Sequence, residues 1–301
     1  TQGVSSAASD VYKRQLLGGT LAGVMYSLVA IGFVLIYRAS GVFNFAQGSL
    51  VLFAALTFVN LTERGIPFVV AFIVTFFVIF ILVLLIDALI LKHLINRSVI
   101  TLFMATLGLS YVIEGLSQTV WGTQVHGLEL GISDTPISLF GIMVSKFDLF
   151  ATAIAGGLVI ILSLLFSKTR FGIALRAVAD DPLAAQSVGI KLNKIWILVW
   201  SVAGLVALVA GLLWGARLSV QFSLSLVVLK ALPVLIIGGF TSISGAIVAG
   251  LIVGATEKLA EIYLGSIIGS GIENWFPYVL AILFLMIRPT GLFGQQQVVR
   301  V

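Results

Sequence analysis

Few side chains in this sequence could do chemistry, and they fall into two clusters. The first is RASGVFNFAQGSLVLFAA, residues 38–55, where Arg38, Ser40, Asn44, Gln47 and Ser49 interrupt an apolar chain together with Gly41 and Gly48. An unpaired amide in hydrocarbon costs several kcal/mol, so Asn44 and Gln47 must face other helices, water or a solute. Amides and hydroxyls beside glycines suit a polar lining where the backbone leaves regular helix. Asn44, Gln47 and Ser49 are therefore candidates for lining a translocation path, and a polar clamp between helices is the other reading. Thr241, Ser242 and Ser244 join them, because GGFTSISGAI (238–247) lines up with GVFNFAQGSL (41–50). Arg38 reads as an interfacial side chain reaching for headgroups.

The second cluster is KTRFGIALRAVADDPLAAQSVGIKLNKI, residues 168–195. Asp180 and Asp181 precede Pro182, and Asp at the cap with Pro at the first helical position starts a helix. Gly189 ends it. About two turns of helix cannot be stable alone and must pack against something. Its partner is either the rest of this chain, the lipid surface or a separate soluble protein.

Catalysis finds no support. There are no cysteines, and His93 and His126 are far apart without ligand spacing. No phosphate-binding loop of the form G-x-x-x-x-G-K-[ST], no G-x-S-x-G and no H-E-x-x-H is present. Asp87 and Glu114 are the acids inside apolar runs. An ion-coupled carrier would be expected to place an acid near the midplane, whereas Glu114 lies towards the end of its run and reads as interfacial or helix-paired.

The elements that position these residues follow from composition. The chain has 301 residues, 60% hydrophobic and 10% charged, an apolar excess that a globule of this size could not hide. Runs of about 20 apolar residues can cross a bilayer. They do not alternate as strands of a barrel would. The expected fold is an all-α polytopic membrane protein with about 8–10 transmembrane helices, some broken or short, and a faint duplication of halves. Spans fall at 16–37, 46–62, 66–91, 98–120, 148–166, 195–217, 224–240, 242–257 and 274–288. Gly238, Gly239 and Gly245 suggest broken or re-entrant segments in the later spans.

The formal charge of +5 reflects basic loops rather than nucleic-acid binding. Lys92 and Arg97, then Lys168, Arg170, Arg176, Lys191 and Lys194 in the loop 167–194, then Arg288 and Arg300 mark the cytoplasmic side. Glu129, Asp134, Asp148, Glu257, Glu261 and Glu273 dominate the opposite loops. The C-terminus and the tail 295–301 are expected inside. This count puts both Gly-rich motifs on the cytoplasmic side, whereas an inverted duplication would put them on opposite faces.

Residues 1–15 look unlike the rest. SSAASDVYKRQ (5–15) is what a transposase sequencing adapter encodes when translated, so this stretch is read as non-native, with 16–294 as the transmembrane domain. Setting aside Asp10, Lys13 and Arg14 brings the formal charge to +4.

Taken together and in order, YRASGVFNFAQGSLVL, RFGIALRAVADDPLAAQSVGI, IGGFTSISGAIVAGLIVGATE and LMIRPTGLFG resemble the LivH-type permease of branched-chain amino acid ABC importers. The resemblance runs from Leu16 to Gly294. It implies a passive permease in the bacterial or archaeal cytoplasmic membrane, with no cofactor of its own and ATP bound by partner subunits. It also implies a second, LivM-like permease, two cytoplasmic ATPase subunits and an extracytoplasmic substrate-binding protein. Ala184, Ala185 and Gly189 resemble the loop by which such permeases engage their ATPases, although its leading Glu is absent. Arg176, Asp180, Asp181 and Pro182 complete this coupling helix. The alternatives are a permease for urea or short-chain amides, or an ion-coupled carrier or channel.

Overall fold

The computed structural model describes residues 2–41, 43–94, 97–132, 135–139 and 142–294. Asp134, Arg300 and the expected tail 295–301 lie outside them. In chain order the helices are α1 (Gln2–Ser40), α2 (Ala46–Glu63), α3 (Phe68–Ile86), α4 (Lys92–Leu94), α5 (Val99–Trp121), α6 (Lys146–Lys168), α7 (Arg170–Asp180) and α8 (Pro182–Ser187). They continue with α9 (Leu192–Leu218), α10 (Leu224–Val227), α11 (Ala231–Gly238), α12 (Ile243–Ile268) and α13 (Phe276–Ile287). All nine expected apolar segments are helical among the described residues. Six are long and apolar enough to cross a membrane: Val11–Ser40, Phe68–Leu94, Val99–Trp121, Lys146–Lys168, Leu192–Leu218 and Ile243–Ile268. Ala46–Glu63, Leu224–Gly238 and Phe276–Ile287 are shorter. The multi-pass helical membrane class is thereby established, and a 3₁₀ turn at Val228–Lys230 interrupts one of the short segments.

Local chemistry explains the boundaries. Ser98 caps α5, its hydroxyl accepting from Thr101 N–H, and Thr169 caps α7 by accepting from Gly172 N–H. Such caps satisfy amides that a helix start leaves open. Three elements were not anticipated. Helix α7 precedes the short α8; a π turn (Asp87–Leu91) joins α3 to α4; and β1 (Pro136–Leu139) pairs antiparallel with β2 (Ile142–Ser145). The hairpin is too short to leave a clear alternation in the sequence.

The chain divides into two compact units. In the unit formed by 32–130 and 161–229, α2 is the core helix. Residues Ala46 to Val59 of α2 are all buried, and it packs against α3, α5, α9 and α10. Small residues make this possible: a Cβ on Gly211 of α9 would meet the Val51 carbonyl oxygen at 2.6 Å. Helix α3 buries only the stripe Ala71, Thr75, Ile79, Val83 and Ile86. Phe77, Ile81 and Leu85 are exposed on it, as expected of a helix facing lipid.

In the other unit (1–31, 131–160 and 230–301), α1 and α12 meet through paired Gly-x-x-x-Gly motifs. A Cβ on Gly19 would come within 2.3 Å of the Gly254 carbonyl oxygen, and one on Gly23 within 2.4 Å of the Gly250 carbonyl oxygen. Glycine lets the two backbones touch, which is how helices gain dispersion contact where lipid removes the hydrophobic drive. Next to this seam the Tyr26 hydroxyl donates to Glu257 Oε1 at 3.0 Å, both groups buried. The end of α11 is closed by the chain after α13. Leu292 N–H donates to Ile237 O at 2.7 Å and Phe293 N–H to Gly238 O at 3.2 Å. These bonds satisfy carbonyls that the helix end leaves open, and they tie IGGF to PTGLFG.

Candidate functional site

Helix α1 ends at Gly41, whose φ of +71° suits the left-handed residue that terminates a helix; its N–H donates to Tyr37 O at 2.7 Å. Helix α2 begins five residues later, inside the bundle. Gln47 Nε2 donates to Ala203 O at 3.2 Å, three turns into α9, roughly 16 Å along its axis at the α-helical rise. The Thr106 hydroxyl, two turns into α5, donates to Phe43 O at 3.4 Å. The start of α2 is therefore packed against α5 and α9, while Gly41 at the end of α1 is exposed.

This placement accounts for the amides. Asn44 and Gln47 are both 0% exposed. Asn44 Oδ1 accepts from Ala46 N–H at 3.0 Å, serving one of the amides orphaned at the start of α2. Asn44 Nδ2 and Gln47 Oε1 have no partner among the described residues. Gly32 leaves the room Gln47 needs: a Cβ there would sit 3.0 Å from Gln47 Nε2.

One turn further on, Ser49 opens onto a cavity. Its hydroxyl lies 2.8 Å from the Ser110 hydroxyl and 3.1 Å from Glu114 Oε1. The cavity, of about 410 Å³, lies among α2, α5 and α10 and is walled by Phe45, Ser49, Leu107, Ser110, Glu114 and Phe222. Glu114 is thus helix-paired, as the sequence suggested. Ser110 was not singled out, yet a signal was there: Thr106, Ser110 and Glu114 recur every four residues and so share a face of α5. Ser223 and Ser225, also at the cavity, carry no such period.

Thr241, Ser242 and Ser244 are in the other unit. Ser242 caps α12, its hydroxyl accepting from Gly245 N–H at 2.9 Å. Thr241 is half-buried and Ser244 exposed. The two Gly-rich motifs repeat locally, since α2 and α12 both start five residues after the matched glycines Gly41 and Gly238.

The expected short helix is present as α8. Asp181 Oδ1 accepts from Leu183 N–H at 2.9 Å and Ala184 N–H at 3.0 Å, and Pro182 occupies the first turn. Gly189, with φ of +90°, turns the chain after it. Ala185 is buried, its element packing on α7 and α9, while Leu183 is 67% and Val188 77% exposed. Arg176 on α7 donates from Nη1 to Phe166 O at 3.0 Å, and its charge and that of Asp180 reach Arg38 at the end of α1. Asp180, Pro182 and Ala184 are exposed beside them.

His126 pairs its Nδ1 with Glu63 at 2.9 Å, and its backbone bridges to Val220. It is an ordinary loop residue holding the far end of α2. No group of three or more His, Cys, Asp or Glu able to hold a metal occurs among the described residues.

In the unit 32–130 and 161–229, buried amides at the start of α2 and helices with exposed apolar faces packed on it suit a membrane permease. Residues 15–288 match the family described as "Branched-chain amino acid transport system / permease component", and the chain belongs to that family. It is 35% identical to the probable branched-chain amino acid transport permease protein LivH of Methanocaldococcus jannaschii, over 95% of this chain and 94% of that one. It is 26% identical to the high-affinity branched-chain amino acid transport system permease protein BraD of Pseudomonas aeruginosa, over 96% and 98%. A partial match, 31% identical over 64% of this chain and 60% of the other, is the guanosine ABC transporter permease protein NupQ of Bacillus subtilis.

Proposed function

We propose that this chain is the membrane-spanning subunit of an ATP-driven importer for branched-chain or other hydrophobic amino acids. The observation that carries the reading is the family match over 15–288, together with relatives of that name along nearly the whole chain. The permease binds no nucleotide. Two cytoplasmic ATPase subunits supply the energy, a second LivM-like permease completes the path, and an extracytoplasmic binding protein delivers the solute.

Coupling runs through α8 in this reading. Leu183 and Val188 offer apolar contacts to a soluble partner, and Arg176, Asp180 and Asp181 surround them with charge. Ala185 and the caps at Asp181 and Gly189 hold the helix against α7 and α9, so that a push on α8 moves those helices. Alternating access follows as ATP closes the ATPase pair. Asn44, Gln47 and Ser49, with Thr241, Ser242 and Ser244, contribute polar surface to the route. The C-terminus lies on the same, cytoplasmic, side as α8, and the adapter-like residues 1–15 are dispensable.

The test is reconstitution of the chain with the neighbouring permease, ATPase and binding-protein genes. ATP-dependent leucine uptake is expected, with Val188→Glu and Leu183→Asp releasing the ATPases on purification. If the wild-type complex takes up guanosine or urea and no leucine, the substrate assignment fails. If both variants keep their ATPases and transport normally, the coupling role of α8 fails.

A further inference from the structure

Glu114 is a half-buried carboxylate on α5, a helix long and apolar enough to cross a membrane, and little holds it there. Among the described residues one hydroxyl reaches it: Ser49 donates to Oε1 at 3.1 Å, and Ser49 in turn lies 2.8 Å from Ser110. No ion pair with a Lys, Arg or His reaches it among those residues. An acid placed within a membrane-spanning helix is costly and is retained where it meets a cation or water. This one is bonded to α2 through Ser49 and also lines the cavity.

The cavity's other walls show which cations suit it. Phe45, Leu107 and Phe222, with Leu226 and Leu229, give it a mostly apolar body, and Ser223 adds a hydroxyl away from the α5 stripe. Its volume of about 410 Å³ lies within the ~300–1,000 Å³ of small-molecule sites. A hydrated metal ion would gain nothing from leucine and phenylalanine walls. An organic ammonium with an aliphatic body uses both features.

We infer that the cavity among α2, α5 and α10 is a solute site on the permease itself, where the Glu114 carboxylate receives the α-ammonium of an aliphatic amino acid. The inference rests on the proposed transport function and adds to it a solute-contacting acid. Ser49 and Ser110 are positioning residues that hold Glu114 towards the cavity. Phe45, Leu107 and Phe222 take the aliphatic side chain, and the Ser223 hydroxyl is placed to meet the carboxylate of the same solute.

The absence of cysteine from the sequence allows a direct probe. A Ser223→Cys variant, in the full importer complex, would be labelled with a cationic and an anionic methanethiosulfonate of similar size, reading the label on this chain alone. The expected result is a rate preference for the cation of about tenfold over that of a free thiol, as one unscreened charge nearby would produce. Adding Glu114→Gln should abolish that preference, and leucine should slow labelling of the Ser223→Cys protein but not of the double variant. A Ser110→Cys variant provides the same readout should Ser223→Cys assemble poorly. Equal labelling by both reagents, or leucine protection that survives Glu114→Gln, overturns the inference. Leucine uptake by the wild-type complex is scored separately: its absence would overturn the transport function, while labelling without preference beside intact uptake would overturn only the site.

Discussion

Asn193 holds Asp87 by both carboxylate oxygens: its Nδ2, oriented by this bonding, lies 3.1 Å from Oδ1 and 3.1 Å from Oδ2. Asp87 is 5% exposed and opens the π turn after α3, while Asn193 sits in the first turn of α9, directly after α8 and Gly189. The contact ties the end of α3 to the segment that carries the exposed helix. Asn193→Ala leaves a buried carboxylate without its donor and should cost about 1–3 kcal/mol, read as a lower melting temperature of the purified complex. Asn193→Asp should cost more, since two carboxylates then face each other. Exchanging the pair, Asp87→Asn with Asn193→Asp, should recover most of the loss, and no recovery would mean that the contact is incidental.

The glycine seam gives a second expectation. Gly23→Leu or Gly254→Leu drives a side chain into backbone, where even a Cβ would come within 2.4 Å or 2.3 Å of a carbonyl oxygen. Either should prevent assembly of α1 against α12, seen as loss of folded protein in the membrane fraction. A Cβ at Gly108 or Gly157 would meet nothing within 4 Å. Alanine at either should be neutral or stabilising by up to about 1 kcal/mol, because glycine is the poorer helix former.

Gln47 tests the buried start of α2. Gln47→Met removes one hydrogen bond and one unpaired acceptor together, so stability should stay within about 1 kcal/mol of wild type. Gln47→Glu buries a charge at a site where Oε1 has no donor among the described residues, and should cost about 3 kcal/mol or more. Urea unfolding monitored by tryptophan fluorescence separates the two.

The cap of α8 can be weakened without touching its exposed face. Asp181→Ala should cost about 1 kcal/mol locally, whereas Asp181→Asn keeps an acceptor and should cost little. Faster proteolysis within 180–190 in the first variant and not the second is the expected signature. Equal protection in both would show that packing of Ala185, not the cap, holds the helix.

Much of this was legible in the residues because it depends on short-range physics. A run of about 20 apolar residues has one low-energy state in hydrocarbon, so all nine segments could be located from hydrophobicity alone. Asp181, Pro182 and Gly189 specify α8 within nine residues, since caps act on neighbouring amides. Hydrophobicity did not reveal which apolar helix is interior. Helices α2 and α3 are both apolar, yet one is buried all round and the other along one stripe.

What the sequence by itself determined was the helices, their ends and the positions of the buried amides, each a matter of a residue and its neighbours along the chain. Only the tertiary structure decided what those groups meet: Ala203 for Gln47, Ser49 for Glu114, Asn193 for Asp87, Glu257 for Tyr26. The physical reason is that a polar group in a low-dielectric bundle must find a partner, while residues 65 to 231 positions away in the chain are equally eligible until packing selects one.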